Sequence, residues 1–182
     1  MIIESLPLVG AFRLRPTPSF DDRGFFARRF CAETFARHGL ETDFVQRSIS
    51  HNYRRGTLRG LHFQAPPAAE TKIVRCTRGA VFDVIVDLRL GSRTYGHWHG
   101  ERMGAEDYWM IYVPRGFAHG FQTLEDDTQV DYEITPAYVP AAAMGIRFDD
   151  GTLKIPWPVK EKVISQRDRN LPFFSGLACK FE

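Results

Sequence analysis

The sequence predicts an all-β fold, either a barrel or a sandwich, from two observations. Apolar residues recur with a period of two in short runs, which is the alternation of half-buried strands rather than of helices. Turn residues such as Asp21-Asp22-Arg23-Gly24 and Pro114-Arg115-Gly116 separate these runs at spacings that suit antiparallel hairpins. With 182 residues, the chain is long enough for one well-packed domain, 1–182, and short for two.

The pattern predicts a succession of strands with one short helix and one helical turn. The helix is expected at 31–38, where Gly39 follows in the position of a C-cap, and the turn at 165–169. After Pro136, prolines and small residues loosen the pattern, so this tail is expected to wrap around the strands. The predicted strands are 8–15, 24–30, 44–51, 57–64, 71–77, 80–88, 97–103, 109–113, 121–124 and 128–134.

The composition is that of a folded protein. Hydrophobic residues make up 43% and charged residues 25% of the chain, which excludes the disordered and membrane-spanning classes. The formal net charge of +2 is too small to indicate a nucleic-acid partner. Residues 1–7 lack a basic start and a long apolar stretch, so a secretory signal is not expected and the location is predicted to be cytoplasmic. The odd number and wide spacing of the cysteines predict idle or buried thiols at Cys31, Cys76 and Cys179.

Three residues on the predicted strands form an acid–base set. Because residues two apart in a strand share a face, His62 lies beside Gln64, and both Lys72 and Tyr132 lie on largely apolar faces. A lysine or tyrosine inside a barrel either finds a polar partner or serves chemistry, since burying it unpaired is costly. Spacing alone leaves a structural alternative open, in which His62 is hydrogen-bonded, Lys72 reaches solvent and Tyr132 packs.

Arginines are concentrated in the first third of the chain. Guanidinium groups suit bidentate recognition of phosphate, although a solvated basic face would have the same composition. Strict alternation places Arg59 on the face opposite His62, and a twist or bulge at Gly60 would bring the two together. The cluster consists of Arg23, Arg28, Arg29, Arg47, Arg54, Arg55 and Arg59.

A metal site is the rival interpretation of the histidines. Many double-stranded β-helix proteins bind a metal through a His-x-His pair, a carboxylate and a third His. Here Gln64 replaces the second His, which leaves His62, Glu70 and His119, and amides are poor ligands for the usual transition metals. The His97-Trp98-His99 pair has only Glu101 at a useful spacing. We therefore predict no metal site.

In a series of motifs, the sequence resembles the dTDP-4-dehydrorhamnose 3,5-epimerase family of cupin-like enzymes. The resemblance covers most of the chain and rests on many ordered segments. These are Asp22-Arg-Gly-Phe-Phe26, Phe44-Val-Gln46, Gly56-Thr-Leu-Arg-Gly-Leu-His-Phe-Gln64, Lys72-Ile-Val-Arg75, Gly79-Ala-Val-Phe-Asp-Val84, Asp87-Leu-Arg89, Val113-Pro-Arg-Gly-Phe-Ala-His-Gly-Phe121, Tyr132, Tyr138 and Gly145-Ile-Arg147.

The resemblance implies a double-stranded β-helix, or jelly-roll, with a nucleotide sugar as substrate. It implies an isomerase that inverts C3 and C5 of a nucleotide-linked 4-keto-6-deoxyhexose without a metal or organic cofactor. It also implies a homodimer that exchanges its N-terminal strands, so that the first strands reach the neighbour's site. Neither nucleic acid nor a membrane is expected as a partner.

The resemblance also implies roles for individual residues. His62 is expected to be the general base, Lys72 to stabilise the enolate oxygen and Tyr132 to be the general acid on the opposite face of the sugar. Asp168 is expected to orient His62, with Asp83 as a second candidate for that role. The expected substrate contacts, with Tyr138 as the platform for the nucleotide base, are Arg23, Phe26, Gln46, Ser48, Arg59, Lys72, His119, Tyr138 and Arg167.

Three positions depart from the usual family pattern. Arg28 and Ala143 stand where Glu is common, and Ser48 stands where Asn is common. They are expected at the nucleotide end or the edge of the pocket, which leaves TDP-, CDP- and GDP-linked sugars open, and inversion at C3, C5 or both. The alternatives to a 3,5-epimerase are a related keto-isomerase, a non-catalytic sugar-binding cupin and a metal-dependent oxygenase.

Overall fold

The computed structural model describes residues 1–177 and 181. Its helices are α1 (Ala32–Arg37) and α2 (Gln166–Arg169), with 3-10 turns at Ala105–Asp107, Pro140–Ala142 and Phe174–Gly176. None of the helices in the described residues is long and apolar enough to cross a membrane. The strands are β1 (Ile2–Ser5), β2 (Phe12–Arg15), β3 (Ser19–Asp21), β4 (Gly24–Phe26), β5 (Gln46–Asn52), β6 (Leu58–Gln64), β7 (Thr71–Arg78), β8 (Ala80–Asp87), β9 (Trp98–Gly104), β10 (Met110–Val113), β11 (Phe117–Thr123), β12 (Thr128–Thr135) and β13 (Ala143–Gly145).

Two antiparallel sheets form the body of the fold. The first has the strand order β1-β2-β10-β7-β12-β5, and the second has the order β13-β6-β11-β8-β9. From β5 onward, consecutive strands mostly alternate between the two sheets, which is the connectivity of a jelly-roll. The prediction of an all-β double-stranded β-helix is confirmed. Strands β3 and β4 form a separate hairpin that pairs with neither sheet.

The apolar core has an inner part and two outer parts. The inner cluster lies between the sheets and includes Val74, Ile85 and Phe121, with Tyr132 packed against it. An outer cluster on the second sheet is covered by the tail after β13, and another on the first sheet is covered by α1 through the fully buried Phe35. Central strands are therefore buried on both faces. The expectation that the tail wraps around the strands is confirmed.

Several strand bounds differ from the prediction. β1, β3 and β13 were not expected, because strands of three or four residues are too short to show alternation. The strand predicted at 24–30 ends at Phe26, where the chain leaves the exposed hairpin. β11 begins at Phe117, although the predicted strand begins at Phe121. The prediction was too short because the polar His119 and the Gly120 interrupt the apolar pattern, whereas the structure buries every residue of the strand. Helix α1 lies within the predicted 31–38, and Gly39 has the left-handed φ of 67°.

Gly60 interrupts the regular alternation of β6. Its φ is 109°, and a Cβ at this position would lie 2.7 Å from both Gly120 Cα and the His119 carbonyl oxygen. The pairing of β6 with β11 shifts register between His119 and Phe121. This irregularity turns Arg59 toward the same cavity as His62, as anticipated for a twist or bulge at Gly60.

Replacing Gly60 should therefore destabilise the protein. We expect Gly60→Ala to lower the free energy of unfolding by about 2 kcal/mol or more, because the new methyl group meets two backbones and the φ is unfavourable. The control is Gly91→Ala, where a Cβ has no atom within 4 Å and the change should stay within about 0.5 kcal/mol. Urea denaturation measures both, and equal stability of the two variants would contradict this account.

Candidate active site

A cavity of about 490 Å³ opens between the two sheets. Strands β5 and β12 of the first sheet and β6, β11 and β13 of the second supply most of its wall. Because inward side chains of both sheets meet here, residues distant in the sequence converge. The expected site residues that line it are Ser48, Arg59, His62, Lys72, His119, Tyr132, Tyr138 and Arg167.

His62 is held by a buried carboxylate. Its Nε2 lies 2.8 Å from Oδ1 of Asp168, which is only 4% exposed, and Oδ2 of Asp168 accepts a hydrogen bond of 3.2 Å from the Gly60 amide. Burial raises the pKa of Asp168, but the hydrogen bonds from His62 and Gly60 outweigh it, so the net shift is downward. An ionised Asp168 accepts a hydrogen bond from the Nε2–H of His62, which leaves the lone pair of the imidazole on Nδ1.

A second Asp–His pair lies beside the first. Nε2 of His119 is 2.8 Å from Oδ2 of Asp83, and both residues are buried. The alternative assignment of Asp83 to His62 is therefore wrong. β11 lies between β6 and β8 in the sheet, so a carboxylate on β8 meets the histidine of β11 and not that of β6.

Tyr132 stands in the apolar interior beside His119, with their ring centroids 5.9 Å apart. Burial raises the pKa of its hydroxyl well above the usual value, and the nearby Asp83 adds to this while Arg59 opposes it. The phenol therefore keeps its proton at neutral pH. This is the state that a proton donor requires.

Lys72 is anchored at two points. Its Nζ lies 2.8 Å from Oε1 of Glu70 and 3.4 Å from the carbonyl oxygen of His62. From the sequence, Glu70 was predicted only as a candidate metal ligand. The signal that would have found its pairing is the two-residue spacing, which places Glu70 and Lys72 on one face of an extended segment.

Arg59 and Gln46, two other predicted contacts, are each held by a hydrogen bond within the chain. Nε of Arg59, which lines the cavity, donates a 2.7 Å hydrogen bond to Oδ1 of Asn52. Gln46 does not line the cavity, and its side-chain oxygen instead accepts a hydrogen bond from the Tyr138 amide. Gln46 thus contacts the backbone of the residue predicted to stack on the nucleotide base.

Arg23 and Phe26 do not reach this cavity within one chain. Both belong to the β3–β4 hairpin, where Arg23 pairs with Asp21 at 2.6 Å and Phe26 is 75% exposed. The first two strands, in contrast, belong to the first sheet. β1 pairs with β2, and β2 pairs with β10 of the same chain. Among the strands of the described residues, β3 and β4 alone pair with neither of the two large sheets.

The candidate metal ligands have other partners. His62 and His119 each pair with an aspartate, and Glu70 pairs with Lys72. Within residues 1–177 and 181, no group of three His, Cys, Asp or Glu side chains could hold a metal ion.

Two of the three cysteines lie in the part of the chain that the structure describes. Cys76 is buried in the inner cluster, where burial raises the pKa of its thiol to about 11. Cys31 is partly exposed and unpaired, and Cys179 lies outside the described residues.

Known proteins with the same fold and similar sequences have a common description. A family model described as dTDP-4-dehydrorhamnose 3,5-epimerase matches residues 5–176. A relative of that name from Methanothermobacter thermautotrophicus is 44% identical over 166 residues, which cover 90% of this chain and 89% of the relative. The crystal structure of the protein of that name from Elizabethkingia anophelis NUHP1 has a TM-score of 0.93 and 37% identity, with 96% of this chain and 97% of the other covered. The dTDP-6-deoxy-D-glucose-3,5-epimerase of Legionella pneumophila, solved in complex with dTDP-4-keto-L-rhamnose, has a TM-score of 0.92 and 33% identity, with 100% and 98% covered.

The lowered pKa of Asp168 predicts a pH-dependent contribution to stability. This contribution is present above the pKa of an unfolded aspartate, about 4, and is lost as the pH falls through the lower folded value. We expect Asp168→Asn to reduce the free energy of unfolding at pH 7 by about 1–3 kcal/mol. Urea denaturation should show this difference shrinking below about pH 4. A difference that is constant down to pH 2 would contradict the lowered pKa of Asp168.

Proposed function

The chain belongs to the dTDP-4-dehydrorhamnose 3,5-epimerase family and is an isomerase, and from this premise we propose that it inverts C3 and C5 of dTDP-4-dehydro-6-deoxyglucose. The observation that carries the proposal is the convergence of three groups in one cavity. These are an imidazole oriented by a carboxylate, a buried ammonium and a protonated phenol, supplied by His62, Lys72 and Tyr132.

His62 is the proposed general base. A hydrogen on the carbon next to the C4 ketone is weakly acidic, so its removal requires a base on one face of the sugar. Asp168 fixes the tautomer and stabilises the imidazolium that forms when Nδ1 takes the proton. The pairing orients the ring before the substrate binds.

Lys72 and Tyr132 complete the proposed reaction. Deprotonation moves charge onto the C4 oxygen, and the Lys72 ammonium stabilises the enolate that results. Inversion then needs a proton from the other face of the ring, which the Tyr132 hydroxyl supplies. The phenolate that is left then takes up a proton from solvent before the next turnover.

We propose thymidine diphosphate as the carrier. Support comes from the relatives, among which the Legionella protein was solved with a dTDP-linked sugar. Two of the three departures from the family pattern, Ser48 and Ala143, line the cavity without adding a charge. Ser and Ala are smaller than the Asn and Glu common at these positions, and neither residue is one of the proposed reacting groups.

We further propose that the protein acts as a cytoplasmic homodimer in which the β3–β4 hairpin reaches the partner's cavity. Phe20, Phe25 and Phe26 on this hairpin are 74%, 42% and 75% exposed. Exposed aromatic side chains on a protruding element commonly mark an interface. The exchange is thereby limited to the hairpin, with Arg23 and Phe26 as the residues supplied to the neighbour.

The epimerase proposal is tested by hydrogen exchange in D2O. We expect deuterium at C3 and C5 of the TDP-linked 4-keto-6-deoxy sugar, observed by NMR, and little exchange with CDP- or GDP-linked sugars. Absence of exchange at both carbons with all three carriers would refute the proposal.

The proposed roles are separated by two variants in the same assay. His62→Ala removes the base and should lower exchange at both carbons by at least about 10²-fold. Tyr132→Phe leaves the base in place, so exchange should continue while inversion at one centre is impaired. Equal loss of exchange in both variants would contradict the division between base and acid.

The hairpin exchange is tested by complementation between two inactive variants. In a mixed dimer of Arg23→Ala and His62→Ala chains, one site combines an intact His62 with the Arg23 of the partner. Co-expression of the two chains should therefore restore activity, up to one working site in each mixed dimer. Each variant alone is the control. Activity no higher than that of the separate variants would show that Arg23 does not act across the dimer.

A further inference from the structure

A buried ion pair within the cavity involves Glu70, a residue to which the proposed reaction assigns no task. Oε1 of Glu70 lies 2.8 Å from Nζ of Lys72, and the two side chains are 8% and 9% exposed. Both residues line the cavity. The pair is therefore shielded from solvent and lies beside the reacting groups.

The geometry of Lys72 leaves one of its hydrogens for a ligand. An ammonium group has three N–H donors and no acceptor. One donates to Glu70 at 2.8 Å and a second points to the carbonyl oxygen of His62 at 3.4 Å. With these two contacts made, the third N–H has no partner among the described residues, and Lys72 lines the cavity.

The flexible stem of lysine makes this anchoring necessary. A lysine side chain has four rotatable bonds, and without a partner Nζ could adopt several positions in a cavity of about 490 Å³. The neighbours of Lys72 on its own face of β7 are Val74 and Cys76, which offer no charged partner. Glu70 supplies both the charge that keeps a buried ammonium favourable and the position that limits its movement.

A carboxylate so close to a developing enolate also has a cost. Its negative charge repels the enolate, and Lys72 stands between the two charges only if the pair stays intact. Glu70 thus acts through Lys72 and does not need to contact the sugar.

We infer that Glu70 is a positioning residue that presents the third N–H of Lys72 to the C4 oxygen of the substrate. The inference rests on the proposed epimerase function. It predicts an effect on the chemical step, because the oxygen becomes fully charged only after deprotonation, and a small effect on binding of the nucleotide sugar.

The test compares kcat and KM for the TDP-linked 4-keto sugar in wild type, Glu70→Gln and Glu133→Gln. Glutamine keeps the size of the side chain and removes its charge. We expect Glu70→Gln to lower kcat by about 10²-fold through misplacement of Nζ, with KM within about twofold of wild type. Glu133 is a matched control, since it is also 8% exposed and also pairs with basic side chains, but lies outside this cavity. Its variant should retain wild-type kcat and KM.

Three outcomes would overturn the inference. They are a wild-type kcat in Glu70→Gln, a raised KM with unchanged kcat, and an equal loss of kcat in Glu133→Gln. If Glu70→Gln does not fold, Glu70→Asp replaces it, since it keeps the charge but withdraws it by one methylene, and an unchanged kcat there would be equally contradictory. Inactive wild-type protein would instead refute the epimerase proposal and the inference with it.

Discussion

The backbones of β6 and β11 approach so closely at Gly60 and Gly120 that neither position has room for a side chain. A Cβ on Gly60 would lie 2.7 Å from Gly120 Cα, and one on Gly120 would lie 2.7 Å from the carbonyl oxygen of Arg59. The contact sets the geometry around it. It shifts the strand register, turns Arg59 toward the cavity and directs the Gly60 amide at Asp168, which in turn holds His62. The binding and reacting parts of the site thus depend on one local departure from regular strand geometry.

Around this contact the site is built from polar side chains that are paired with one another before any ligand arrives. His62, His119 and Lys72 each have a carboxylate partner at 2.8 Å, and the three partners are 8% exposed or less. Pairing makes the burial of so many ionisable groups tolerable, since an unpaired charge in this interior would be strongly unfavourable. Pairing also holds the side chains in place, so that the proposed reaction needs little reorganisation as charge develops.

The sequence was sufficient for the fold class and for the central strands, because buried strands with alternating faces leave a clear periodicity. It also placed Lys72 and Tyr132 inside the barrel. It could not provide the partners of these residues. Asp168 lies 106 residues from His62, and no spacing rule connects them, so only the resemblance to a family identified it. Asp83 was a candidate for the wrong histidine, since the order of strands within a sheet is a tertiary property.

The tail that covers the outer face of the second sheet also carries Asp168, so the orientation of the proposed base depends on that tail. All the strands of both sheets precede α2 in the sequence. During synthesis, His62 therefore emerges long before the carboxylate that orients it. Until α2 has docked, the proposed base lacks the carboxylate that orients it. The orientation of His62 thus depends on a segment that is synthesised after all the strands of both sheets.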